Sequence, residues 1–417
     1  MSIEAQGYFQ RGFDAFQQGD FREAVECYTR AIAFQPRVAS GYRYRAKAYL
    51  AMHDRAKAIG DYDTAIRLSP TDAQLLAERA GELLKQKRFD DAALDCNSAM
   101  ELDPGRADVH AIRAHCHAER GDSTTAFSDY ATAIRMDPPN AEQYLARRSK
   151  LHTECGNFAA AIEDADLALI ANPDFALAYE ARAAARQAMG DRAGALSDFA
   201  EASARDPHDV AAILQRAMIQ VQMRDYVEAR DGAERILALS PKMPIALELR
   251  AMCDIELRDW DRALVELNDI LAADPNRQSA YALRAGLHYR KGEDALAVAD
   301  QLQVLKRDPE SVPCYNQIAW IWATSPDATI RNGTRAIEFA TRCCELGHWK
   351  EHGHMDTLAA AYAEAGDFPK AIHWIEKAIT LAEATPATDM PPTTGLADDY
   401  RTRLIQYRAG MPFRRGM

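Results

Sequence analysis

A chain of 417 residues, 48% hydrophobic, 27% charged and 8% aromatic, has the composition of a folded protein rather than a disordered one, and is long enough for two or three domains or one array of repeats. Its formal net charge of −12 opposes a general attraction to nucleic acid, which depends on clustered Lys and Arg. No stretch approaches the roughly 20 consecutive apolar residues of a membrane span, and the eight cysteines include no Cys-x-x-Cys pair of the zinc or redox kind.

The N-terminus, MSIEAQGYFQRGFDAF, lacks the basic-then-apolar run of a secretory signal, so a cytoplasmic address is expected, with most cysteines serving as small core residues. From there the chain keeps a beat. Prolines fall at Pro36, Pro70, Pro104, Pro138, Pro173, Pro207, Pro241, Pro275 and Pro309, 34 residues apart except for one interval of 35. Alanines keep the same interval from Ala24 to Ala297, and glycines just before them, at Gly19, Gly121, Gly156, Gly190 and Gly292, fit a tight turn. Between these marks the spacing is helical: Tyr42, Arg45, Ala46 and Tyr49 stand at i, i+3, i+4 and i+7, and Ala58, Tyr62 and Ala65 resume that spacing after the turn. Each unit therefore reads as a helical hairpin. Small residues such as Gly12, Ala46, Ala80 and Ala114 let its two helices approach, and the proline stops the second helix.

These positions resemble the tetratricopeptide repeat, whose 34 residues carry an aromatic, a small residue and an aromatic, then Gly, Ala, a second aromatic, Ala and Pro. The resemblance covers residues 5 to 383 as about eleven units and implies an all-α fold, a right-handed α-solenoid. Residues 5–311 hold nine regular repeats, residues 312–383 two divergent ones, and residues 384–417 a linker and a C-terminal capping helix. The pentatricopeptide repeat, an RNA reader of similar length, lacks the recurrent proline.

One departure from the family pattern recurs. Arginine replaces the usual leucine before the small position of the first helix, and sixteen residues later an acid follows: Arg45 and Asp61, Arg79 and Asp95, Arg113 and Asp129, Arg148 and Asp164, Arg182 and Asp198, Arg250 and Glu266, Arg284 and Asp300. The pattern is interrupted at Arg11, with Cys27 sixteen residues on, and at Arg216, with Gly232. In an antiparallel hairpin, residues whose repeat positions share a constant sum lie at equal height, and these pairs miss the aromatic and alanine sum by one. They are expected to face each other as bidentate ion pairs that fix helix register. The competing reading, a row of arginines serving as an anion track, is weaker because the acids accompany the arginines.

After Pro309 the beat changes. A loop around Pro326 to Gly333 is enlarged, the regular stretch MDTLAAAYAEAGDFPKAIHWIEKAI follows, and a Pro/Thr-rich linker leads to an amphipathic helix from about Leu396 to Tyr407. Such a helix is expected to close an open solenoid end. The final repeats resemble those of bacterial proteins of the planctomycete kind, some of which stand behind kinase domains; no kinase signature is present here.

In this family the first helices line a concave groove. The resemblance places Phe9, Phe13 and Phe16 there as an aromatic stripe, for which packing against the second repeat's first helix is the stronger competing reading, then Arg43, Lys47 and Lys85, and further on Glu180, Glu248 and Glu256, a groove running from basic to acidic. Arg43 and Lys47 stand where the family's carboxylate clamp begins, but its asparagines are missing. Two histidine groups, His110, His115 and His117, and His348, His352 and His354 near Cys343 and Cys344, read better as surface or groove residues than as metal ligands. No nucleophile elbow, phosphate loop or dinucleotide fingerprint appears, and no cofactor is implied. The expected function is a non-catalytic adaptor that binds a protein or peptide ligand. The alternatives are an accessory regulator of a signalling kinase and a metal-dependent enzyme at the Cys/His loop.

Overall fold

The structure is a computed structural model that describes residues 3–384 and 396–416. Among these residues every regular element is helical. The chain divides into two units, Met1–Arg216 and Ala217–Met417.

The first unit contains α1 (Ile3–Gln17), α2 (Phe21–Phe34), α3 (Ala39–Ala51), α4 (Arg55–Leu68), α5 (Ala73–Lys85), α6 (Phe89–Leu102), α7 (Ala107–Glu119), α8 (Ser123–Met136), α9 (Ala141–Glu154), α10 (Phe158–Ala171), α11 (Ala176–Ala188) and α12 (Arg192–Arg205). The 35-residue interval falls where Pro138–Asn140 make a 3-10 turn before α9. Helix α13 (Val210–Gln222) begins in the first unit and ends in the second. The second unit continues with α14 (Tyr226–Leu239), α15 (Pro244–Glu256), α16 (Trp260–Ala273), α17 (Gln278–Lys291), α18 (Asp294–Leu305), α19 (Val312–Thr324), α20 (Gly333–Leu346), α21 (His352–Glu364), α22 (Phe368–Ala384) and α23 (Leu396–Arg408).

Consecutive helices pack as pairs, α1 on α2 through α11 on α12 in the first unit and α15 on α16 through α21 on α22 in the second. The second helix of a pair also packs on the first helix of the next, and first helices of neighbouring pairs touch, as α5 does α7 and α19 does α21.

The turn inside a pair rests on one residue in the left-handed region. Glycine fills it at Gly19 (φ 81°) and Gly121 (φ 80°), but the same place is taken by His53 (φ 61°), Lys87 (φ 60°), Arg224 (φ 63°) and Arg258 (φ 65°). An L side chain costs about 1–2 kcal/mol in that conformation, so packing elsewhere in the repeat holds these turns. The next residue often caps the second helix: Asp20 accepts from the Glu23 amide at 3.0 Å, Asp54 from Lys57 at 3.2 Å and Asp191 from Gly194 at 2.9 Å.

Alanines carry the core because the paired backbones leave no room for more. Ala46, Ala58 and Ala65 are fully buried around Tyr62, with Leu75 of the next pair closing the cluster. At Gly12 a Cβ would stand 2.9 Å from the Tyr28 ring. The aromatic side chains bury the large areas that the alanines cannot. Proline carbonyls between pairs are occupied too, that of Pro173 by the Tyr179 hydroxyl at 3.2 Å and by Arg205 Nε at 3.1 Å.

At the C-terminal end, the segment between α19 and α20 is tied by Arg331, whose Nη1 donates to the carbonyls of Ser325 at 2.9 Å and Pro326 at 3.0 Å. Helix α23 packs on α22, with Tyr400 and Tyr407 buried in a cluster with Ile375 and Ala378. The Pro/Thr-rich stretch 385–395 lies outside the described residues.

Candidate interaction face

Seven of the arginines that precede the small position lie between helices and grip an acid through two arms of the guanidinium fork, whereas Arg11 stays exposed, 3.7 Å from Glu23. Arg45 Nε and Nη2 meet Asp61 at 2.8 and 2.7 Å, Arg79 meets Asp95 at 2.7 and 2.6 Å, and Arg113 meets Asp129 at 2.7 and 2.8 Å. Arg148 holds Asp164 at 2.7 and 2.6 Å, Arg182 holds Asp198 at 3.0 and 2.7 Å, and Arg284 holds Asp300 at 2.8 and 2.7 Å. Arg250 is bonded to Glu266 in the same way. All seven acids are buried. The remaining arm, Nη1, points to the preceding pair: to Thr29 from Arg45 at 3.1 Å, Asp63 from Arg79 at 2.7 Å, Asn97 from Arg113 at 2.8 Å, Asp166 from Arg182 at 2.5 Å and Asn268 from Arg284 at 2.6 Å. Each of these acceptors stands sixteen residues before its arginine. This backward arm was missed from sequence, although polar residues do recur at 34-residue spacing there.

The repeat after Arg216 has a different arrangement. Asp254 of α15 is fully buried and lies 3.4 Å from Arg230 Nη1 and 3.2 Å from Arg262 Nε, two cations drawn from α14 and α16. Burial pushes its carboxyl above the ordinary value, against the pull of the two arginines.

The first-helix face of the first unit begins with Phe9, Phe13 and Phe16, all half-buried. Phe9 packs edge-on to Tyr44 at 5.1 Å and against Tyr28 at 5.5 Å; Phe13 meets Tyr44 at 6.3 Å, and Phe16 meets Phe21 at 5.4 Å. Much of the stripe is thus spent on the chain's own packing. Arg43 and Lys47 converge on Glu78 of the next first helix, at 2.5 and 3.0 Å. Burial opposes ionisation of Glu78, but the hydrogen bonds from Arg43 and Lys47 outweigh it and hold its pKa below the ordinary carboxylate value. Lys85 pairs with Glu82 at 2.6 Å within one helix. Glu180 faces Asp209, and burial first, then that neighbouring charge, push its carboxyl up to about 7.

In the second unit Glu248 accepts from Arg277 at 2.6 Å and from the Ser279 hydroxyl, and Glu256 accepts from Arg290 at 2.5 Å. The charges along the face therefore largely cross-link neighbouring pairs, so side-chain signs alone do not describe the field a ligand meets.

The histidines turn in separate directions. His110 Nδ1 lies 3.4 Å from Asp129, His115 lies 3.5 Å from Glu119 with Arg147 beside it, and His117 lies 3.3 Å from Asp122. His352 meets the Tyr400 hydroxyl at 2.8 Å, while burial lowers the pKa of His354. Cys343 and Cys344 are fully buried, and that burial pushes both thiols up to about 12.

Family models described as tetratricopeptide repeat match residues 5–38, 45–107, 77–141 and 254–312. The chain is a tetratricopeptide-repeat protein. Tetratricopeptide repeats serve as scaffolds for protein–protein interaction. No curated protein matches this one. Among solved structures, yeast Tom70 is similar at 14% identity over 97% of this chain and 96% of that one, with a TM-score of 0.44. Human IFIT1 is similar at 17% identity over 89% of each, with a TM-score of 0.47, and Pseudomonas aeruginosa PilF at 18% identity over 51% of this chain and 97% of that one, with a TM-score of 0.45.

The last tetratricopeptide repeats carry something on their first-helix face. After α23 the chain turns back, and residues 411–416 lie in non-helical conformation against α17, α19 and α21. The Arg415 amide donates to the Thr324 carbonyl at 3.0 Å. Phe413 meets Trp320 of α19, ring centroids 5.7 Å apart, and Arg403 of α23 lies over both rings. Arg414 Nη2 stands 2.5 Å from Glu364, which also takes Arg331 at 3.2 Å. Arg415 is bonded to Asp294 and lies 4.1 Å above the Tyr289 ring. Nothing in the repeat periodicity signals these contacts.

Proposed function

We propose that this tetratricopeptide-repeat protein is a non-catalytic adaptor that holds a peptide or a partner helix on the face built by its first helices. The observation that carries the reading is the docking of residues 411–416: the face of α17, α19 and α21, with Asp294 at the start of α18 on its edge, takes a non-helical segment through one main-chain hydrogen bond, one aromatic contact and two ion pairs. Main-chain bonding to a groove with side-chain seats is a general mode of peptide capture. Proximity of ordered charges from neighbouring repeats, such as Arg43 and Lys47 on Glu78, supports it further, because pre-ordered side chains lose little freedom on binding.

Natural lysines report the face used. Lys47, Lys85 and Lys150 stand on first helices, and Lys57, Lys370 and Lys377 on second helices. Proteins retained by the purified chain, cross-linked through lysine and mapped by mass spectrometry, are expected to join the first-helix set. Links confined to the second-helix set would defeat the reading.

A further inference from the structure

Of residues 411–416, Phe413 alone packs against the apolar cluster at the end of the second unit. That end is covered by α23, whose Tyr400 and Tyr407 are buried with Ile375 and Ala378. The segment instead places its polar side chains on acids of the first-helix face and its edge, and those acids are built to receive cations. Asp294, only 2% exposed at its side chain, has the Ser325 hydroxyl at 2.6 Å on one oxygen and Arg415 on the other. Without Arg415 a buried carboxylate would keep a single neutral donor, a costly state for a charge out of water. Glu364, 14% exposed, sits between Arg331 and Arg414. Between the two acidic seats Trp320 offers an aromatic surface, itself fixed by donating from Nε1 to the Tyr289 hydroxyl at 3.1 Å. Tyr289 in turn presents its ring face to the Arg415 guanidinium, a geometry that favours arginine over lysine.

We infer that this end of the face is a receptor for a partner segment carrying an aromatic residue followed by two arginines, and that Phe413, Arg414 and Arg415 of the chain itself occupy it as a competing tail. The inference rests on the reading that the first-helix face binds peptides, and adds the chemistry of the ligand and its regulation. A tethered occupant sees its seat at a high effective concentration, so a partner must either outbind the tail or meet a chain whose tail has been drawn away. The partner is thus a basic, aromatic peptide, even though the protein as a whole is acidic.

The test uses the full chain and, as the probe, a fluorescent capped peptide with the sequence of residues 411–416, followed by anisotropy. The full chain carrying F413A, R414A and R415A is expected to bind it saturably and about a hundredfold more tightly than the unaltered chain, the gain being the removal of the tethered competitor. A peptide with both arginines replaced by glutamate should not bind, and Asp294→Asn in the emptied chain should weaken binding about tenfold, as loss of a charged hydrogen bond does. A helical, emptied chain that ignores the peptide overturns the inference. Should that variant lose its helicity, the unaltered chain decides. Excess peptide, about 1 mM against a tethered competitor, must speed hydrogen exchange at the Arg415 amide, and unchanged exchange overturns the inference. A dimer of the unaltered chain that the triple substitution dissolves assigns the seat to a second copy and also overturns it. Peptide indifference combined with partner cross-links at Lys47, Lys85 and Lys150 discards this inference alone, leaving the adaptor reading in place.

Discussion

Arg79 donates through Nη1 to Asp63 at 2.7 Å, joining the first helix of one pair to the second helix of the pair before it. Its Nε and Nη2 hold Asp95 at the same time. One planar cation therefore sets both the register inside a hairpin and the stacking of two hairpins. Lysine keeps the charge but not the fork, so Arg79→Lys is expected to cost about 1–2 kcal/mol, the worth of one or two lost hydrogen bonds to charged groups. In that background Asp63→Ala should add almost nothing, although in the native chain it lowers the urea midpoint. Additive effects in the two-substitution cycle would contradict the shared-cation geometry.

Arg113 and Asp129 test the pairing inside a hairpin. Removing Arg113 alone strands a buried carboxylate, 6% exposed at its side chain, and Arg113→Ala should cost about 3 kcal/mol, as breaking a buried pair does. Removing both partners takes away the stranded charge, so Arg113→Ala with Asp129→Ala is expected to be more stable than Arg113→Ala alone. Urea unfolding followed by circular dichroism measures the order. A double variant no more stable than either single one refutes a buried, mutually dependent pair.

The left-handed turn residues offer a gain. Lys87 sits at φ 60° in the place that Gly19 and Gly121 fill elsewhere. Lys87→Gly relieves the side chain's conflict with the carbonyl at the expense of unfolded-state entropy, with a net stabilisation of about 0.5–1 kcal/mol. The thermal midpoint should rise, and a fall would mean that the Lys87 side chain makes contacts outweighing its strained backbone.

Glu180 gives the protein a pH dependence. Its folded pKa is about 7 against an ordinary 4.5, so the folded state binds the proton more tightly than the unfolded one. That preference is fully present below about pH 4.5 and is lost as pH rises through about 7. Above that, native Glu180 stands as a partly buried charge beside Asp209. Glu180→Gln is therefore expected to exceed the native stability by about 1–2 kcal/mol at pH 8, a shift discounted for solvent screening, and to match it near pH 5. A pH-independent difference would remove Glu180 as its source.

Two glycines should respond in opposite senses. A Cβ on Gly333 would stand 2.6 Å from the Ala365 backbone nitrogen, whereas one on Gly286 would meet nothing within 4 Å. Gly333→Ala is expected to cost about 1–3 kcal/mol through overpacking against a backbone that cannot step aside. Gly286→Ala, inside α17, should stabilise by about 0.5–1 kcal/mol by lowering the entropy of the unfolded chain. Thermal melts of the two variants give the signs directly.

The 34-residue beat was legible because close helix packing fixes residue type: only a small residue fits at Ala46 or Ala58, and any change there is felt at once. The forward spacing from Arg45 to Asp61 was legible for a similar reason, since a buried guanidinium demands an acid. The backward arm was not, because Thr29, Asp63 and Asn97 are all adequate acceptors for an N–H and leave no single residue to follow. Turn positions were obscured wherever His53 or Lys87 replaced glycine. On the face, the positions of Arg43 and Lys47 could be read but not their shared use of Glu78, a contact between neighbouring repeats. The seat of Arg415 on Asp294 joins residues 121 apart, outside any period.

The double reach of the arginines bears on how such a chain changes length. Arg79, Arg113, Arg182 and Arg284 each find their partners sixteen residues ahead and sixteen behind. Duplication or loss of one 34-residue stretch of coding sequence leaves those offsets intact at the new junction, so recombination between repeats strands no buried charge. Asp254 is the place where that freedom ends. Its cations come from Arg230 and Arg262, outside the sixteen-residue offsets, and a crossover that removed both would leave a fully buried carboxylate alone.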